Sequence, residues 1–457
     1  MKEYTERLGT APVGRLLVRL SLPGIASTIT TTLYNVVDTL WVARIGHEAI
    51  AALTIVFPYQ ILFYAIGGGT GTGIGALVSR RFGERDVDAA NRVAGQVFFL
   101  SAAWGLFFIL IASFFANPIL RVMGARADFI EYAQQYFVIT SYGAPLIIFA
   151  ILISHLLRGS GDAVKPMVIM ISATVINIVL DPFLIMGIGP FPELGVAGAA
   201  WATVTSQLFG TLLGLFFLFS NRTAYKIRLS HLRPNWRIIR EIYHVGAPSA
   251  ILQITESLAF MLWNIVVSSF GSVAVAAIGI VMRISDFAYM PIMGVSHALL
   301  PIVGYCFGAG LFSRLWSAVK KASFGIMALL AVITIGMEIW TPQILGIFTK
   351  EADLLEVAVP AMRIMLSSMV LIGPSIMIVT AFQGLSKGKT ALVLSLIRQF
   401  IVFVPLLFLF RYLFGLTGVW ICAPVSDLLG MVISLGFIWR EYTYHKHSGA
   451  KARDTRW

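Results

Sequence analysis

The sequence predicts an all-α polytopic membrane protein with twelve transmembrane helices in two parallel-repeat six-helix lobes. Three observations carry this prediction: the composition, a series of long apolar segments, and an internal repeat. Of the 457 residues, 58% are hydrophobic and only 12% are charged, whereas a soluble domain carries about 25% charged residues. So few charges could not cover the surface of a soluble protein of this length, and that class is excluded.

Twelve segments are long and apolar enough to cross a bilayer, which takes about 20 residues in a helix. Several exceed 25 residues, which predicts tilted or kinked helices. The longest and most polar connection is 221–237. The segments are 15–43, 50–80, 92–116, 129–157, 165–188, 195–220, 238–269, 275–308, 314–339, 352–384, 390–413 and 416–440.

The basic residues orient these spans. In a soluble protein, a net charge of +12 would suggest a nucleic-acid partner. Here 26 of the 34 Lys and Arg residues fall on the side that holds both termini and the even-numbered loops. Cytoplasmic loops collect Lys and Arg, so we expect a multi-pass protein of the cell membrane with both termini in the cytoplasm. The charge thus has a cause that needs no nucleic acid.

The two halves of the chain repeat each other at a shift of 225 residues, which becomes 220 near the end of each half. The matching landmarks are Pro23 and Pro248, Gly46 and Gly271, Phe82-Gly83 and Phe307-Gly308, Gly159 and Gly384, and Gly195 and Gly415. Six spans per half make the repeat parallel, and transporters commonly place the substrate path between such halves. The repeat predicts an N-terminal segment, an N-lobe, a linker, a C-lobe and a C-terminal tail, at 1–14, 15–220, 221–237, 238–440 and 441–457.

Polar residues lie at helical spacing on three spans of the first half. Residues three and four apart share one face of a helix, and three such faces in one half predict a shared polar interior. They are Ser27, Thr31, Tyr34, Asn35 and Asp38 on span 1, Thr174, Asn177 and Asp181 on span 5, and Ala199, Thr203, Ser206, Gln207 and Gly210 on span 6.

The side chains on these faces suit a small cation. An ionisable residue inside the bilayer costs about 2.5–3.5 kcal/mol, so it usually faces a cavity or a partner. Asp38 and Asp181, with the amide of Asn177 and the hydroxyl of Thr203, offer hard oxygen donors that suit Na⁺. Two carboxylates in a low-dielectric pocket also suit H⁺. The alternative is that these groups form hydrogen bonds that only pack the helices.

The second half gives a less definite pattern. Glu256 lies on span 7, while Arg363 and Arg398 lie on spans 10 and 11. Glu256 is therefore either a second site or the ion-pair partner of one of these arginines. The isolated cysteines Cys306 and Cys422 indicate neither a disulfide framework nor a metal site. No nucleophile–base or metal-binding motif is present, so we expect neither an enzyme nor an organic cofactor.

The chain resembles the multidrug and toxic compound extrusion (MATE) transporters, and in particular their DinF-like branch. The resemblance covers about residues 10–440. Its motifs are LYNVVDTLWV, LRGSGDAVKPM, NIVLDPFLI, GVAGAAWATVTSQ, VMRISDFAYMPIMG, LPIVGYCFGA and FQGLSKGKT.

The resemblance implies a cation-coupling site formed by Asp38, Asn177, Asp181 and Thr203, with the carbonyl of Ala199 as a further ligand. It also implies that span 1 bends at Pro23 and that drugs bind near the same cavity. The polar residues assigned to that substrate cavity are Ser27, Thr31, Tyr34, Asn35, Gln207 and Glu256. Other branches pair the acid at the position of Glu256 with an aspartate on span 10, which this chain lacks, so a second sodium site is in doubt.

We therefore expect a secondary active antiporter that exports amphipathic, often cationic or aromatic compounds in exchange for Na⁺ or H⁺. We expect it to work as a monomer in the lipid bilayer. The alternative is a lipid or lipid-linked oligosaccharide flippase of the same superfamily. Such flippases usually carry more cationic residues in the central cavity, whereas the intramembrane cations here are Arg283, Arg363 and Arg398, all in the second half.

Overall fold

The computed structural model describes residues 3–127, 129–220 and 223–454, except the side chains of residues 3, 4, 35, 36 and 447–454. These ranges contain helices and connecting loops, with no strand. In chain order the α-helices are α1 (Glu3–Thr10), α2 (Val13–Val42), α3 (His47–Gly83), α4 (Val87–Val122), α5 (Ile130–Tyr142), α6 (Ala144–Gly159), α7 (Val164–Met186), α8 (Gly195–Phe219), α9 (Trp236–Ser268), α10 (Ser272–Gly308), α11 (Phe312–Ile339), α12 (Thr341–Phe348), α13 (Ala352–Leu366), α14 (Met369–Gly384), α15 (Gly388–Leu396) and α16 (Phe403–Asp454). A 3₁₀ turn (Leu229–Leu232) precedes α9, and a π-helical segment (Ile397–Val402) joins α15 to α16.

The helices account for all twelve predicted spans. Within the described ranges, nine helical segments can each cross a membrane by length and composition, and two bent pairs, α5 with α6 and α13 with α14, add two more. The last segment, Gly388–Lys446, has 59 residues and would measure roughly 90 Å as one rod, far more than the hydrocarbon core of about 30 Å. It is interrupted at Gly415, whose φ of 59° and ψ of −137° are not helical, so it holds spans 11 and 12.

The backbone repeats its unusual conformations from one half to the other. The two bent pairs occupy matching positions and bend by 51° and 45°. Matching residues also share the left-handed region, with φ between +54° and +148°. These pairs are Gly46 and Gly271, Arg85 and Gly310, Gly161 and Ser386, and Gly195 and Gly415. The repeat read from sequence landmarks is therefore also a repeat of local structure.

The chain divides into two compact units, and the first span of each half is shared between them. One unit comprises Met1–Arg7 and Ala26–Ala250, and the other comprises Leu8–Ile25 and Ile251–Trp457. The boundary between the units divides α2 after Ile25, two residues beyond Pro23. It divides α9 after Ala250, two residues beyond Pro248. The two prolines are repeat partners, so the two crossings are equivalent.

Glycines make close packing possible at each crossing. A Cβ on Gly294 would lie 2.8 Å from the backbone nitrogen of Ile25, within the second unit. A Cβ on Gly69 would lie 2.6 Å from the backbone nitrogen of Ala250, within the first unit. Small residues let helix backbones approach closely in membranes, and Gly69 and Gly294 are again 225 residues apart. The first part of α2 thus packs on α10, and the first part of α9 packs on α3, at positions that match in the repeat.

The helices extend beyond the ends of the predicted spans. Helices α3 and α10 have 37 residues each, because the connections between spans are short. Residues 3–10 form α1 ahead of span 1, and α16 continues to Asp454, so much of the segment interpreted as a tail is helical. Both cysteines are buried and unbridged, as the sequence predicts.

The turn between spans 5 and 6 supplies a test of this packing. A Cβ at Gly198 would clash with the backbone carbonyl of Leu184. We expect Gly198→Ala to lower the free energy of unfolding by about 1–3 kcal/mol, because a backbone cannot yield as a flexible side chain does. Thermal unfolding in detergent measures the effect. The control is Gly279→Ala, whose added Cβ meets nothing within 4 Å; equal melting temperatures for the two variants would contradict the packing argument.

Candidate functional site

Four side chains predicted to hold a cation lie buried in the first unit. Asp38 is in the second part of α2, Asn177 and Asp181 are one turn apart on α7, and Thr203 is on α8. Asp181 is 0% exposed and Asp38 is 7% exposed. Burial on this scale requires each carboxylate to find a partner or to give up its charge.

Asn177 connects α7 to α8. With its amide oriented to satisfy both ends, its nitrogen donates to Asp181 Oδ2 (3.1 Å) and its oxygen accepts from the backbone N–H of Thr203 (3.2 Å). The tight turn before α8 holds the two helices together, since the backbone N–H of Leu194 donates to the carbonyl of Leu184 (3.0 Å). The amide is therefore committed to the protein at both ends and orients one oxygen of Asp181.

Tyr34 links span 1 to Thr203 on α8. Its hydroxyl lies 3.2 Å from Thr203 Oγ1, a hydrogen bond between residues 169 positions apart. Tyr34 also lies within electrostatic range of Asp38, one turn further along α2. The hydroxyl of Thr203, which was predicted as a cation ligand, thus has a protein partner in this conformation.

Each carboxylate keeps one oxygen without a hydrogen-bond partner among the described residues. These atoms are Asp38 Oδ1 and Asp181 Oδ1, both fully enclosed. The two carboxylates also interact electrostatically. Buried polar atoms are nearly always satisfied in folded proteins, and an exception needs an explanation such as an ion or a proton. Uptake of a small cation or of a proton would relieve the repulsion between two such carboxylates.

Most residues assigned to the substrate cavity lie on α2, and some of them form hydrogen bonds within their own helix. Ser27 is buried and Thr31 is half-buried, and the Thr31 hydroxyl donates to the Ser27 carbonyl (3.0 Å), within their own helix. Gln207 is half-buried on α8. Ala199 is fully buried, and its role as a carbonyl ligand stays a prediction. The side chain of Asn35 lies outside the described residues.

The sequence interpretation missed a second set of polar groups near Asp38. Tyr64 on α3 and Tyr136 on α5 both lie within electrostatic range of its carboxylate. Gln60 Nε2 donates to the Tyr136 hydroxyl (3.2 Å). A signal was available, because Gln60 and Tyr64 are four residues apart in an otherwise apolar segment. The surroundings of Asp38 therefore include helices α3 and α5 as well as α2.

Glu256 belongs to a different kind of polar cluster, in the second unit. It is exposed and accepts a hydrogen bond from Gln399 Nε2 (3.0 Å), within electrostatic range of Arg398. Arg398 itself forms an ion pair with Asp427 on α16, with Nη1 and Oδ1 3.1 Å apart. Arg398 and Gln399 lie in the π-helical segment Ile397–Val402, a distortion that is frequent at functional sites.

Arg363 and Arg398, the two arginines considered as ion-pair partners of Glu256, are paired with other carboxylates. Asp427 receives the Arg398 guanidinium and also accepts from the Ser368 hydroxyl (2.8 Å). Arg363 faces Glu338, with 4.0 Å between the charged atoms. Glu256 keeps its neutral partner Gln399, so within this cluster Asp427 has a direct cationic partner, whereas Glu256 has none among the described residues.

The MatE family model matches this chain twice, over residues 23–183 and 248–409. The two matches begin 225 residues apart, as the internal repeat does. Similar proteins include an FAD transporter of Shewanella oneidensis, 29% identical over 92% of this chain and 93% of its own length. The multidrug export protein MepA of Staphylococcus aureus is 26% identical over 90% of each chain.

Solved structures of transporters share the fold over nearly the whole chain. A MOP-superfamily transporter from Pyrococcus furiosus superimposes with a TM-score of 0.90 at 28% identity, covering 96% of this chain and 98% of its own. A MATE protein in a straight conformation gives a TM-score of 0.91 at 28% identity over 96% and 98% of the two chains. A bent conformation gives 0.91 at 28% identity over 98% and 99%.

The ion pair between Arg398 and Asp427 can be tested by its stability. We expect Asp427→Asn to lower the free energy of unfolding by about 3 kcal/mol, because it leaves the largely buried Arg398 guanidinium without its direct ion-pair partner. The double variant Arg398→Met/Asp427→Leu removes both charges and should recover most of that loss. Thermal unfolding in detergent compares the two. A double variant as unstable as the single one would show that the pair is not the cause.

Proposed function

The chain belongs to the MatE family of membrane transporters and is not an enzyme, and on that premise we propose that it is a secondary active multidrug efflux antiporter. It exports amphipathic, often cationic or aromatic compounds and takes in Na⁺ or H⁺, with no organic cofactor and no nucleic-acid partner. The observation that carries the proposal is the pair of orphaned carboxylate oxygens of Asp38 and Asp181 in a buried, hydrogen-bonded pocket.

The carboxylate pair is the proposed coupling site. Asp38 and Asp181 repel each other when both are ionised, so a cation or a proton between them lowers the energy of the pocket. Asn177 holds Asp181 from one side, and Tyr34 and Thr203 line the pocket from α2 and α8. Binding of the cation removes negative charge near the cavity that attracts a cationic drug. The two ligands therefore compete electrostatically, so that binding of the cation favours release of the drug.

Pro23 is the proposed hinge. A proline cannot donate a backbone hydrogen bond to the carbonyl four residues earlier, so α2 is weakened there. The part of α2 before the hinge packs in one unit, and the part with Asp38 belongs to the other. A change at Asp38 can thus alter the bend of a helix that is shared by both units. Straight and bent conformations solved for a related MATE protein support two such states.

The sequence supports a proposed membrane orientation and a monomeric functional form. The bias of basic residues supports both termini in the cytoplasm of the cell that makes the protein. The chain holds both halves of the repeat, which supports a functional monomer. The flippase alternative gains little support, because the first unit's pocket carries carboxylates, whereas a phosphorylated lipid would favour cations there.

The decisive variant is Asp38→Asn. We expect it, and Asp181→Asn, to reduce export of a cationic aromatic dye such as ethidium at least tenfold, because an amide cannot balance a cation. The measurement is dye efflux from cells at matched expression. Glu256→Gln is the comparison and should keep most activity, since Glu256 lies in the other unit. Unchanged efflux for Asp38→Asn would refute the coupling site, and loss in Glu256→Gln alone would move the site to the second half.

The coupling ion and substrate class need a separate measurement on purified protein. Proteoliposomes with a Na⁺ gradient alone or a pH gradient alone distinguish the two ions, and ethidium, FAD and a fluorescent lipid-linked sugar distinguish the substrates. We expect ethidium transport with one of the two gradients, Na⁺ or pH, and not with the other. Transport of the lipid-linked sugar without dye transport would favour the flippase.

The hinge predicts that Pro23→Ala slows transport several-fold while cation binding persists, because the restored backbone bond stiffens α2. Pro118→Ala is the control, since Pro118 lies inside α4 away from the crossing. The measurements are the rate of dye transport in proteoliposomes and cation-induced tryptophan fluorescence. If Pro23→Ala transports as fast as the control, α2 does not bend during the cycle.

A further inference from the structure

A groove in the second unit is separate from every site described above. Its volume is about 1800 Å³, larger than the roughly 300–1,000 Å³ of most small-ligand pockets. The walls are the first half of α11, residues 431–446 of α16, and α14. None of Glu256, Arg398 and Asp427 lines it, so the groove is not part of the polar cluster in that unit.

The groove is basic and aromatic at one end and apolar at the other. The polar end holds Arg314, Trp316, Lys320, Trp439, Tyr442 and Lys446. The apolar end holds Met327, Pro374, Ile378, Met431 and Leu435. This is the polarity of one face of a bilayer, where Trp and Tyr gather at the headgroup level above the hydrocarbon.

The length of the groove fits one leaflet. Met431 and Tyr442 are both on α16 and are eleven positions apart, or about 16 Å along the helix axis. Half of the hydrocarbon core is about 15 Å. Large apolar side chains of the groove lining are exposed, including Phe324 at 56%, Leu435 at 48% and Trp439 at 69%. Such a surface is stable only against lipid, so the groove opens on a part of the protein that lipid covers.

The charges of the groove are complementary to an anion. Three cationic side chains line it, and none of its described lining residues is acidic. The nearest acid along α16, Glu441, is neutralised by Lys387 (2.6 Å). Arg314 is committed to the backbone carbonyls of Leu8 and Ala11.

Lys320 and Lys446 are both exposed, which leaves their ammonium groups accessible to an incoming anion. The Trp316 Nε1–H, in the same wall, is enclosed and has no hydrogen-bond partner among the described residues.

We propose that this groove binds one anionic phospholipid, with its phosphate on Lys320 and Lys446 and its acyl chains along Met431 and Leu435. Basic pockets between transmembrane helices are suited to acidic headgroups. A free anion would use the lysines but leave the apolar end empty, whereas an amphipathic drug cation would be repelled by them. The position of Lys446 near the end of α16 makes the lipid a clamp between that helix and α11.

The test is lipid binding to the purified, delipidated full chain, followed by native mass spectrometry with dioleoyl phosphatidylglycerol or dioleoyl phosphatidylcholine. We expect at least one tightly bound phosphatidylglycerol and weak binding of phosphatidylcholine. Each lysine near a membrane surface contributes about fivefold in affinity, so Lys320→Gln/Lys446→Gln should weaken phosphatidylglycerol binding roughly 25-fold. The control Lys226→Gln/Lys389→Gln removes the same charge from exposed lysines outside the groove and should bind like the wild type.

A second variant tests the apolar end without touching charge. Leu435→Trp fills the groove and should also weaken phosphatidylglycerol binding, while leaving weak binding of inorganic phosphate unchanged. Melting temperatures without lipid check that each variant is folded. Equal binding of the two lipids would overturn the proposal, as would equal loss in the control pair, or wild-type binding by Leu435→Trp. Because binding is measured without transport, the outcome is independent of the antiport proposal.

Discussion

The absence of water in the bilayer core is the constraint on which the rest of this structure depends. Backbone N–H and C=O groups inside hydrocarbon must bond within the chain, so each crossing is a helix and each polar side chain there needs a partner. Against that background the charged groups enclosed within the spans are few and informative. In the first unit they converge on Asp38 and Asp181, and in the second on Arg398 and Asp427. The membrane thus turns a small number of side chains into the working parts of the protein.

The duplicated backbone carries different chemistry in its two halves. Matching bends, matching left-handed residues and matching helix crossings show one architecture used twice. Yet the repeat partner of Asp38 is Trp263, and the partner of Gln207 is Asp427. One half keeps two carboxylates with orphaned oxygens, while the other neutralises its buried aspartate with an arginine. Packing constrains the small residues and prolines, whereas the polar residues differ between the halves, so the proposed coupling site in the first half needs no symmetric counterpart.

Helices α2 and α9 are each divided between the two compact units. Each begins in one compact unit and ends in the other, and each divides two residues after a proline. Proline interrupts the hydrogen-bond ladder where the helix changes surroundings. A local change of charge on α2 therefore acts on an element that both units hold. Close glycine contacts, at Gly69 with Ala250 and at Gly294 with Ile25, pack the first part of each divided helix tightly next to its proline.

The fold class, the spans, the repeat and the polar faces could be predicted from the sequence alone, because apolar length, charge bias and helical spacing are local properties of the chain. The sequence also selected Asp38, Asn177, Asp181 and Thr203 as one group. Which polar atoms meet became visible in the folded structure. Tyr34 bonds to Thr203 across 169 positions, Arg398 pairs with Asp427 and not directly with Glu256, and Tyr64 and Tyr136 approach Asp38. These pairings depend on how helices far apart in sequence rotate and pack against each other, and helical periodicity gives the face of each helix but not its neighbour.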